Sequence, residues 1–341
     1  MQEIRIEKTK NPKPKCDVAK VGFGTVFTDH MFVMDYKDGK WQDPRIVPFG
    51  PFSISPAATV LHYAPEIFEG LKAYRTPEGH IQMFRPIENI RRMNNSAERL
   101  RLPQMDEEMF MAALKTLVTV EKDWVPHEPY TSLYIRPVMF GTDAKLGVHA
   151  PREVTFCIIL SPVGPYFKEG MSPVKMLIEK DDVRAVRGGT GFAKCGGNYA
   201  ASLRAGERAE EAGYSQVLWL DAVEKKYIEE GGGMNVMFKI GGKVITPMLN
   251  GSILPGVTRK SLIDIMKRDG IPCEERLISL DEIAKAVKDG KLEECWCCGT
   301  AAVVGPIGEL HYDGKTYRIN AFKTGPMAQR LYAEHTDLQR S

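Results

Sequence analysis

Glu230-Gly231-Gly232-Gly233-Met234-Asn235 is the stretch on which the reading of the fold turns. It closes a strand-like run, Tyr227 to Glu230, and sets a carboxylate beside three glycines, a flexible stretch with room for a flat ring next to the acid. Upstream, Gly191-Phe192-Ala193-Lys194-Cys195-Gly196-Gly197-Asn198-Tyr199 places a lysine among glycines, with Gly188-Gly189 just before it and an Ala-rich run behind it that opens a helix. A lysine held this way can be desolvated, which lowers its pKa and lets the neutral amine attack an aldehyde. Downstream, Leu254-Pro255-Gly256-Val257-Thr258-Arg259 runs straight into a helical pattern. The amides of Val257 and Thr258 then lie at a helix N-terminus, where an anion is favoured.

Taken singly, each feature has a plainer reading: a solvated loop lysine, a turn acid, a Pro-Gly helix entry. Together and in order they supply an amine, a carboxylate and a cup for a phosphate. Arg92, in Asn89-Ile90-Arg91-Arg92-Met93, and Thr300, in Gly299-Thr300-Ala301, are further candidate phosphate donors.

The rest of the chain reads as α+β. Gly24 to Tyr36 is strand-like and meets the Asp38-Gly39 turn signal before Trp41, which implies an antiparallel hairpin. Helical patterns follow at Glu88 to Leu100 and Glu107 to Trp124, then strands at Ser132 to Phe140 and Val154 to Leu160. The shift to Pro and Gly between Ser161 and Gly170 marks an interlobe connection. Beyond it come strands at Val174 to Glu179, Gln216 to Asp221 and Tyr227 to Glu230, and a hairpin across Gly241-Gly242. Helices are expected near Ala200 to Ala212, Arg259 to Arg268 and Leu280 to Lys288. The domains expected are 1–163 and 175–341, joined by a linker at 164–174.

Composition excludes several classes. The 341 residues are 43% hydrophobic and 26% charged, the balance of an ordinary folded chain. A formal net charge of +2 is too small for general attraction to nucleic acid or anionic lipid, so any anion is bound locally. Met1 to Lys15 is polar and lysine-rich, no apolar run nears bilayer length, and a cytoplasmic protein is expected. Seven cysteines, an odd number, argue for reduced thiols rather than a disulfide framework. Cys295, Cys297 and Cys298 crowd together without a second Cys or His cluster, so no metal site is expected. A redox switch between Cys295 and Cys298 is disfavoured, because a regular strand puts them on opposite faces.

The chain resembles the branched-chain aminotransferases, members of the class IV (fold type IV) pyridoxal phosphate enzymes. The class signature is matched by Glu230 to Asn235, Thr246 and Gly256-Val257-Thr258-Arg259. Similarity runs from about Phe23 to Pro306 and includes Phe27-Thr28-Asp29-His30-Met31, Leu61-His62-Tyr63, Phe68-Glu69-Gly70, Tyr134-Ile135-Arg136-Pro137 and Gly299-Thr300-Ala301. The resemblance implies a smaller N-terminal α/β domain and a larger C-terminal domain with a barrel-like sheet, the latter carrying Lys194 as the Schiff-base lysine. It also implies a homodimer that transaminates leucine, isoleucine and valine with 2-oxoglutarate by a ping-pong route.

By the same resemblance, Lys194 holds the cofactor and shuttles a proton, Tyr199 contacts its ring oxygen, and Glu230 pairs with its pyridine nitrogen. Arg92, the Val257 and Thr258 amides and Thr300 hold its phosphate. The amides at Thr300-Ala301 take the substrate α-carboxylate, with Tyr134 and Arg136 nearby, while Phe23, Tyr63, Phe68 and Val148 wall the side-chain pocket. Aromatic and aliphatic walls suit branched side chains, and Arg136 with tyrosine hydroxyls can accept the distal carboxylate of glutamate. One departure is that Ala302-Val303-Val304-Gly305 stands where some relatives carry a Cys-x-x-Cys pair, so their redox regulation does not transfer. Two alternatives stay open on sequence. One is another enzyme of the same fold, a D-amino-acid aminotransferase or an aminodeoxychorismate lyase, and the other is a non-catalytic phosphate-ligand binder.

Overall fold

The computed structural model describes residues 2–165 and 171–341. Residues 166–170 of the expected linker lie outside the described residues. Two compact units form: Met1–Pro165 with Ala193–Gly196 and Gln339–Ser341, and Tyr166–Phe192 with Gly197–Leu338.

The first unit is built on an eight-stranded sheet. Its strands are β1 (Arg5–Ile6), β2 (His30–Lys37), β3 (Lys40–Pro48), β4 (Glu66–Phe68), β5 (Leu71–Arg75), β6 (Ile81–Met83), β7 (Ser132–Gly141) and β8 (Val154–Val163). They run in the order β1-β3-β2-β8-β7-β5-β6, with β4 also on β7. Asp38 and Gly39 both take positive φ, 54° and 77°, which is the hairpin turn the sequence signals. The strand before it starts at His30 rather than Gly24, because Gly24 turns with φ 68°.

A short helix α1 (Thr59–Tyr63) precedes β4, and α2 (Pro86–Leu100) and α3 (Glu107–Val120) follow β6. Ile90, Met93, Phe110 and Leu114 of the two longer helices pack with Phe32, Leu133, Ile135 and Phe156 of the sheet, all nearly inaccessible to solvent. Burying each such side chain stabilises the fold by about 1.5–3 kcal/mol. Strand alternation then sends Tyr134 and Arg136 to the opposite face from Leu133 and Ile135. Cross-strand pairing adds Lys72, opposite Tyr134, and Phe68, opposite Val138, to that same face.

The second unit holds nine strands: β9 (Val174–Ile178), β10 (Gln216–Leu220), β11 (Ile228–Gly231), β12 (Met234–Ile240), β13 (Lys243–Pro247), β14 (Cys273–Arg276), β15 (Leu292–Gly299), β16 (Val303–Tyr312) and β17 (Lys315–Arg318). The path β11-β10-β9-β16-β15-β12 closes on itself through β11–β12 pairing, giving a six-stranded barrel. The fold is therefore α+β, with a curled sheet in one unit and a barrel in the other. The later helices are α4 (Gly196–Ala200), α5 (Leu203–Glu211), α6 (Val257–Arg268), α7 (Leu280–Lys288) and α8 (Pro326–Leu338). Met176, Leu218, Val236, Cys297 and Ile307 are among the buried residues of one apolar cluster, while Trp296, Cys298 and Met237 pack with α6 and α8 in another.

Cys295 and Cys298 accordingly belong to different clusters, on opposite faces of β15, as strand alternation requires. All seven cysteines are free thiols, and burial pushes Cys157 and Cys298 up to about 12, which leaves them inert. Among the described residues no helix is long and apolar enough to cross a membrane.

Two local expectations are corrected. The helix expected over Ala200 to Ala212 is two pieces, Gly196–Ala200 and Leu203–Glu211, because the Ser202 hydroxyl donates to the Tyr199 carbonyl at 2.7 Å and competes with the helical ladder. The glycines after Glu230 are not a flexible stretch: Gly231 and Met234 pair across a tight turn at Gly232, φ 56°. A Cβ at Gly231 would overlap the Cys297 sulfur, and one at Gly232 would overlap the Gln216 side chain. They are glycines for close packing.

Candidate active site

In the first unit, the segment 194–196 docks antiparallel alongside β4. Lys194 donates its N–H to Ser96 Oγ at 2.9 Å and its carbonyl accepts from Phe68 N–H at 3.0 Å. Cys195 bridges Ile67, and Gly196 donates to Glu66 Oε2 at 2.8 Å. A Cβ at Gly196 would overlap that carboxylate, which gives this glycine a steric reason. The lysine is thus carried on a strand edge, with its Nζ 4.9 Å from the centre of the Phe68 ring. Burial pushes the Glu66 carboxyl above its ordinary value, against the Gly196 N–H and the charge of Arg136.

Arg92 lies on the face of α2 that also carries Asn89 and Ser96, at i, i+3 and i+7 spacing. It is buried and forks onto Glu69, Nε to Oε1 at 2.7 Å and Nη2 to Oε2 at 2.8 Å. Asn89 Nδ2 and Gly70 N–H also donate to Glu69 Oε2, at 2.9 and 3.1 Å. Burial alone would raise the Glu69 carboxyl, but the charge and hydrogen bonds of Arg92, with Lys194 and Asn89, hold it below its ordinary value. Sequence reasoning singled out Arg92 and Lys194 and missed Glu69, Asn89 and Ser96. The i, i+3, i+7 spacing on a predicted helix was the available signal for two of these.

Phe23, Phe68, Tyr134 and Arg136 are brought together with the lysine. The Arg136 guanidinium sits 4.8 Å from the Phe68 ring and donates from Nη2 to the Tyr134 hydroxyl at 3.1 Å. Phe23 packs edge-on to Tyr134, with ring centres 4.9 Å apart. A side chain at Gly70 would overlap the Tyr134 hydroxyl, so the glycine of Phe68-Glu69-Gly70 makes room for it. Arg136 Nε is buried and makes no hydrogen bond, an acceptor-seeking group on an otherwise aromatic surface. Among the described residues neither Tyr63 nor Val148 makes a hydrogen bond or ring contact with this cluster; Tyr63 accepts instead from Gly147 N–H at 2.8 Å, and Val148 is 85% exposed.

In the second unit, Glu230 is buried on β11, in register with Asn235 on β12. Its carboxylate accepts from Leu254 N–H at 2.8 Å and from Asn235 Nδ2 at 3.4 Å, and Arg184 Nε approaches Oε2 to 2.9 Å without aiming its N–H at it. Arg184 spends Nη2 on the carbonyls of Gly191 and Ser252. Asn235 also donates to the Leu254 carbonyl at 3.0 Å, and a Cβ at Gly256 would overlap Asn235 Oδ1. The spacing of Glu230, Asn235 and Gly256 therefore has one physical origin: two cross-strand neighbours clamp the loop that feeds α6.

That helix starts with Gly256 as an extended N-cap, no side chain caps it, and no acid stands in its first turn. Its first N–H groups, Val257 and Thr258 among them, are oriented donors for an anion. Tyr199 is half-buried, and its ring edge lies 3.5 Å from where a Cβ at Gly233 would stand. Thr300 and Ala301 occupy the tight turn between β15 and β16, entered by the Gly299–Val303 pair. Val303 takes φ 62°, a left-handed conformation that costs a β-branched residue about 1–3 kcal/mol. Strain of this kind marks a turn whose shape matters. Arg184 was missed on sequence, since nothing local ties it to Glu230.

The amino-transferase class IV family matches residues 66–310. Branched-chain-amino-acid aminotransferase 2 of Bacillus subtilis is 54% identical over 340 residues, covering 99% of this chain and 94% of its own. Branched-chain-amino-acid transaminase 1 of the same organism is 52% identical, covering 98% and 95%. The solved branched-chain aminotransferase of the archaeon Thermoproteus uzoniensis, with norvaline, superposes with a TM-score of 0.74 at 26% identity, covering 91% and 95%.

Proposed function

This chain belongs to the class IV aminotransferases and, within them, to the branched-chain aminotransferases, and from that premise we propose which of its residues carry the transamination of leucine, isoleucine and valine with 2-oxoglutarate. The family works with pyridoxal 5'-phosphate, and the donor set fits that group. An uncapped helix N-terminus suits a phosphate, a buried carboxylate held by Arg184 suits a protonated ring nitrogen, and a lysine on a strand edge offers the amine. When bound, the cofactor supplies an electron sink for charge developing at the substrate α-carbon.

Lys194 would hold the cofactor through Nζ, and its amine is the group that would carry the α-proton. Glu230 keeps the ring nitrogen protonated. Tyr199 donates to the ring oxygen, and Arg92, Thr300 and the amides of Val257 and Thr258 hold the phosphate. The Thr300-Ala301 amides take the α-carboxylate, and Phe23 and Phe68 exclude water from the side chain, with Tyr134 and Arg136 providing the polar end; Tyr63 and Val148, expected on the same wall, stand exposed outside this cluster. The two half-reactions share this one set of residues, so amino donor and acceptor compete and the kinetics are ping-pong.

The observation that carries this reading is the clamp of Glu230 and Asn235 on Leu254, which ties the carboxylate to the loop feeding the uncapped helix. Lys194→Ala is expected to abolish both the absorbance of the bound cofactor and steady-state transamination. Normal turnover in that variant would sink the assignment.

A small domain at 1–163 and a large one at 175–341, joined at 164–174, belong to the same proposal. So does a homodimer, supported by an exposed apolar patch: Leu61, Tyr63, Leu146 and Val148 are 58, 41, 63 and 85% exposed, and their segments are joined by the Ala58–Ala144 bridge and the Tyr63–Gly147 bond. Sedimentation at twice the monomer mass is the expected result. Cytoplasmic residence is supported by the free state of all seven thiols.

A further inference from the structure

Two buried glutamates follow one another on β11, and only the second has a place in the transamination reading. Glu229 is 4% exposed, and strand alternation sends it to the face opposite Glu230. Its Oε1 accepts from the Ser252 hydroxyl and, at 3.4 Å, from the Asn250 amide, while its Oε2 is buried and makes no hydrogen bond. Asn250 Oδ1 in turn accepts the Ser252 N–H at 3.1 Å and lies 2.7 Å from the Ser252 hydroxyl. A buried carboxyl with one oxygen unfilled is costly to keep, and what the filled oxygen holds supplies the reason for it.

That oxygen holds the loop that serves Glu230. The Ser252 carbonyl accepts from Arg184 Nη2, and the Nε of the same guanidinium stands 2.9 Å from Glu230 Oε2. Leu254, two residues on, donates its N–H to Glu230 Oε1 at 2.8 Å. The two glutamates thus grip one loop at two points, with Arg184 closing the circuit from Ser252 back to Glu230. Two glycines make room for it: Gly251 turns the loop with φ 98°, and a Cβ at Gly191 would stand 2.1 Å from the Ser252 carbonyl oxygen. Every member of the circuit belongs to the second unit.

We infer that Glu229 is a positioning residue: through Ser252 it sets where Arg184 and the Leu254 N–H meet Glu230, and so how strongly Glu230 binds a protonated ring nitrogen. This rests on the reading above, in which Glu230 pairs with the pyridine nitrogen of pyridoxal phosphate. The Leu254 carbonyl is held separately, by Asn235 Nδ2 at 3.0 Å, so the entry to α6 keeps its own support. The effect of Glu229 is therefore directed at the ring nitrogen and not at the phosphate.

The test titrates the full-length apoenzyme with pyridoxal phosphate and with 1-deazapyridoxal phosphate, an analogue with carbon in place of the ring nitrogen. Wild type, Glu229→Ala, Glu229→Gln, Ser252→Ala and Glu230→Gln are compared, each shown to be folded by its circular dichroism. Glu229→Ala is expected to weaken binding of pyridoxal phosphate about tenfold, as for the loss of one hydrogen bond, and binding of the analogue at most about twofold. Ser252→Ala shows the same split, and decides the matter should Glu229→Ala fail to fold. Glu229→Gln restores most of the loss, since an amide keeps both a donor and an acceptor for Ser252 and Asn250. Equal weakening of both ligands, or weakening of neither, would overturn the inference, as would a Glu229→Gln variant no better than Glu229→Ala. Glu230→Gln tests the underlying reading: if it lacks the split, or if wild type does not bind pyridoxal phosphate, the functional reading falls and the inference with it.

Discussion

Each unit of this protein buries one glutamate–arginine pair next to residues of the proposed cofactor site, and the two pairs are built differently. In the first unit Glu69 is wholly enclosed, and Arg92 forks onto both of its oxygens while Asn89 and Gly70 also donate to Oε2. In the second, Glu230 meets Arg184 at a single oxygen and takes the Leu254 N–H on the other. A fork reinforced by two more donors on Oε2 ties α2 to the β4–β5 connection and makes the carboxylate a scaffold that orients the arginine. In the second pair the Leu254 N–H and the Asn235 amide share the carboxylate with the arginine. In the first pair the arginine is the proposed ligand group and the acid positions it, whereas in the second the roles are exchanged.

The contrast can be broken by experiment. Glu69→Ala leaves Arg92 buried without its counter-ion and is expected to destabilise the fold by about 3–5 kcal/mol, measured as a shift in denaturant midpoint at constant m. Glu230→Gln keeps the side-chain shape, so its larger effect is expected on turnover: kcat falls about a hundredfold while Tm moves by only a few degrees. If instead Glu69→Ala spared stability, or Glu230→Gln spared kcat and cost mainly stability, the two roles would have been assigned the wrong way round.

The smallest effect is on acid stability. The Glu69 carboxyl titrates below its ordinary value in the folded state, so its contribution is complete above the unfolded value, roughly 4.3, and is lost as pH falls through the lower folded value. Glu69→Gln is therefore expected to flatten the acid limb of the stability profile. An identical slope in that variant and wild type would remove Glu69 from the account.

Most of the fold was legible in the sequence because its signals are local. The Asp38-Gly39 turn, the helices over α2, α3, α6 and Leu280–Lys288, and the Gly241-Gly242 hairpin all sit where periodicity and turn chemistry put them. The errors at Gly24 and at Ala200 to Ala212 came from a positive-φ glycine and a serine bonding its own backbone, details that periodicity does not carry. The glycines after Glu230 were read as flexible because sequence shows the missing side chain and not the atoms that fill its place.

What the sequence determined by itself was a list of candidates: Lys194, Tyr199, Glu230, Val257-Thr258 and Arg92, read from residue type, local spacing and family resemblance as the proposed parts of a cofactor site. What only the tertiary structure decided was the support of each part. Arg184 lies 46 positions from Glu230 and Ser96 lies 98 from Lys194, and neither distance obeys any chain periodicity. The Glu229–Ser252–Arg184 circuit exists only because β11 and two loops meet in one place. Spacing along a chain fixes neighbours on one helix or strand, while neighbours across elements are set by packing, which buries charge only where a partner from elsewhere arrives to meet it.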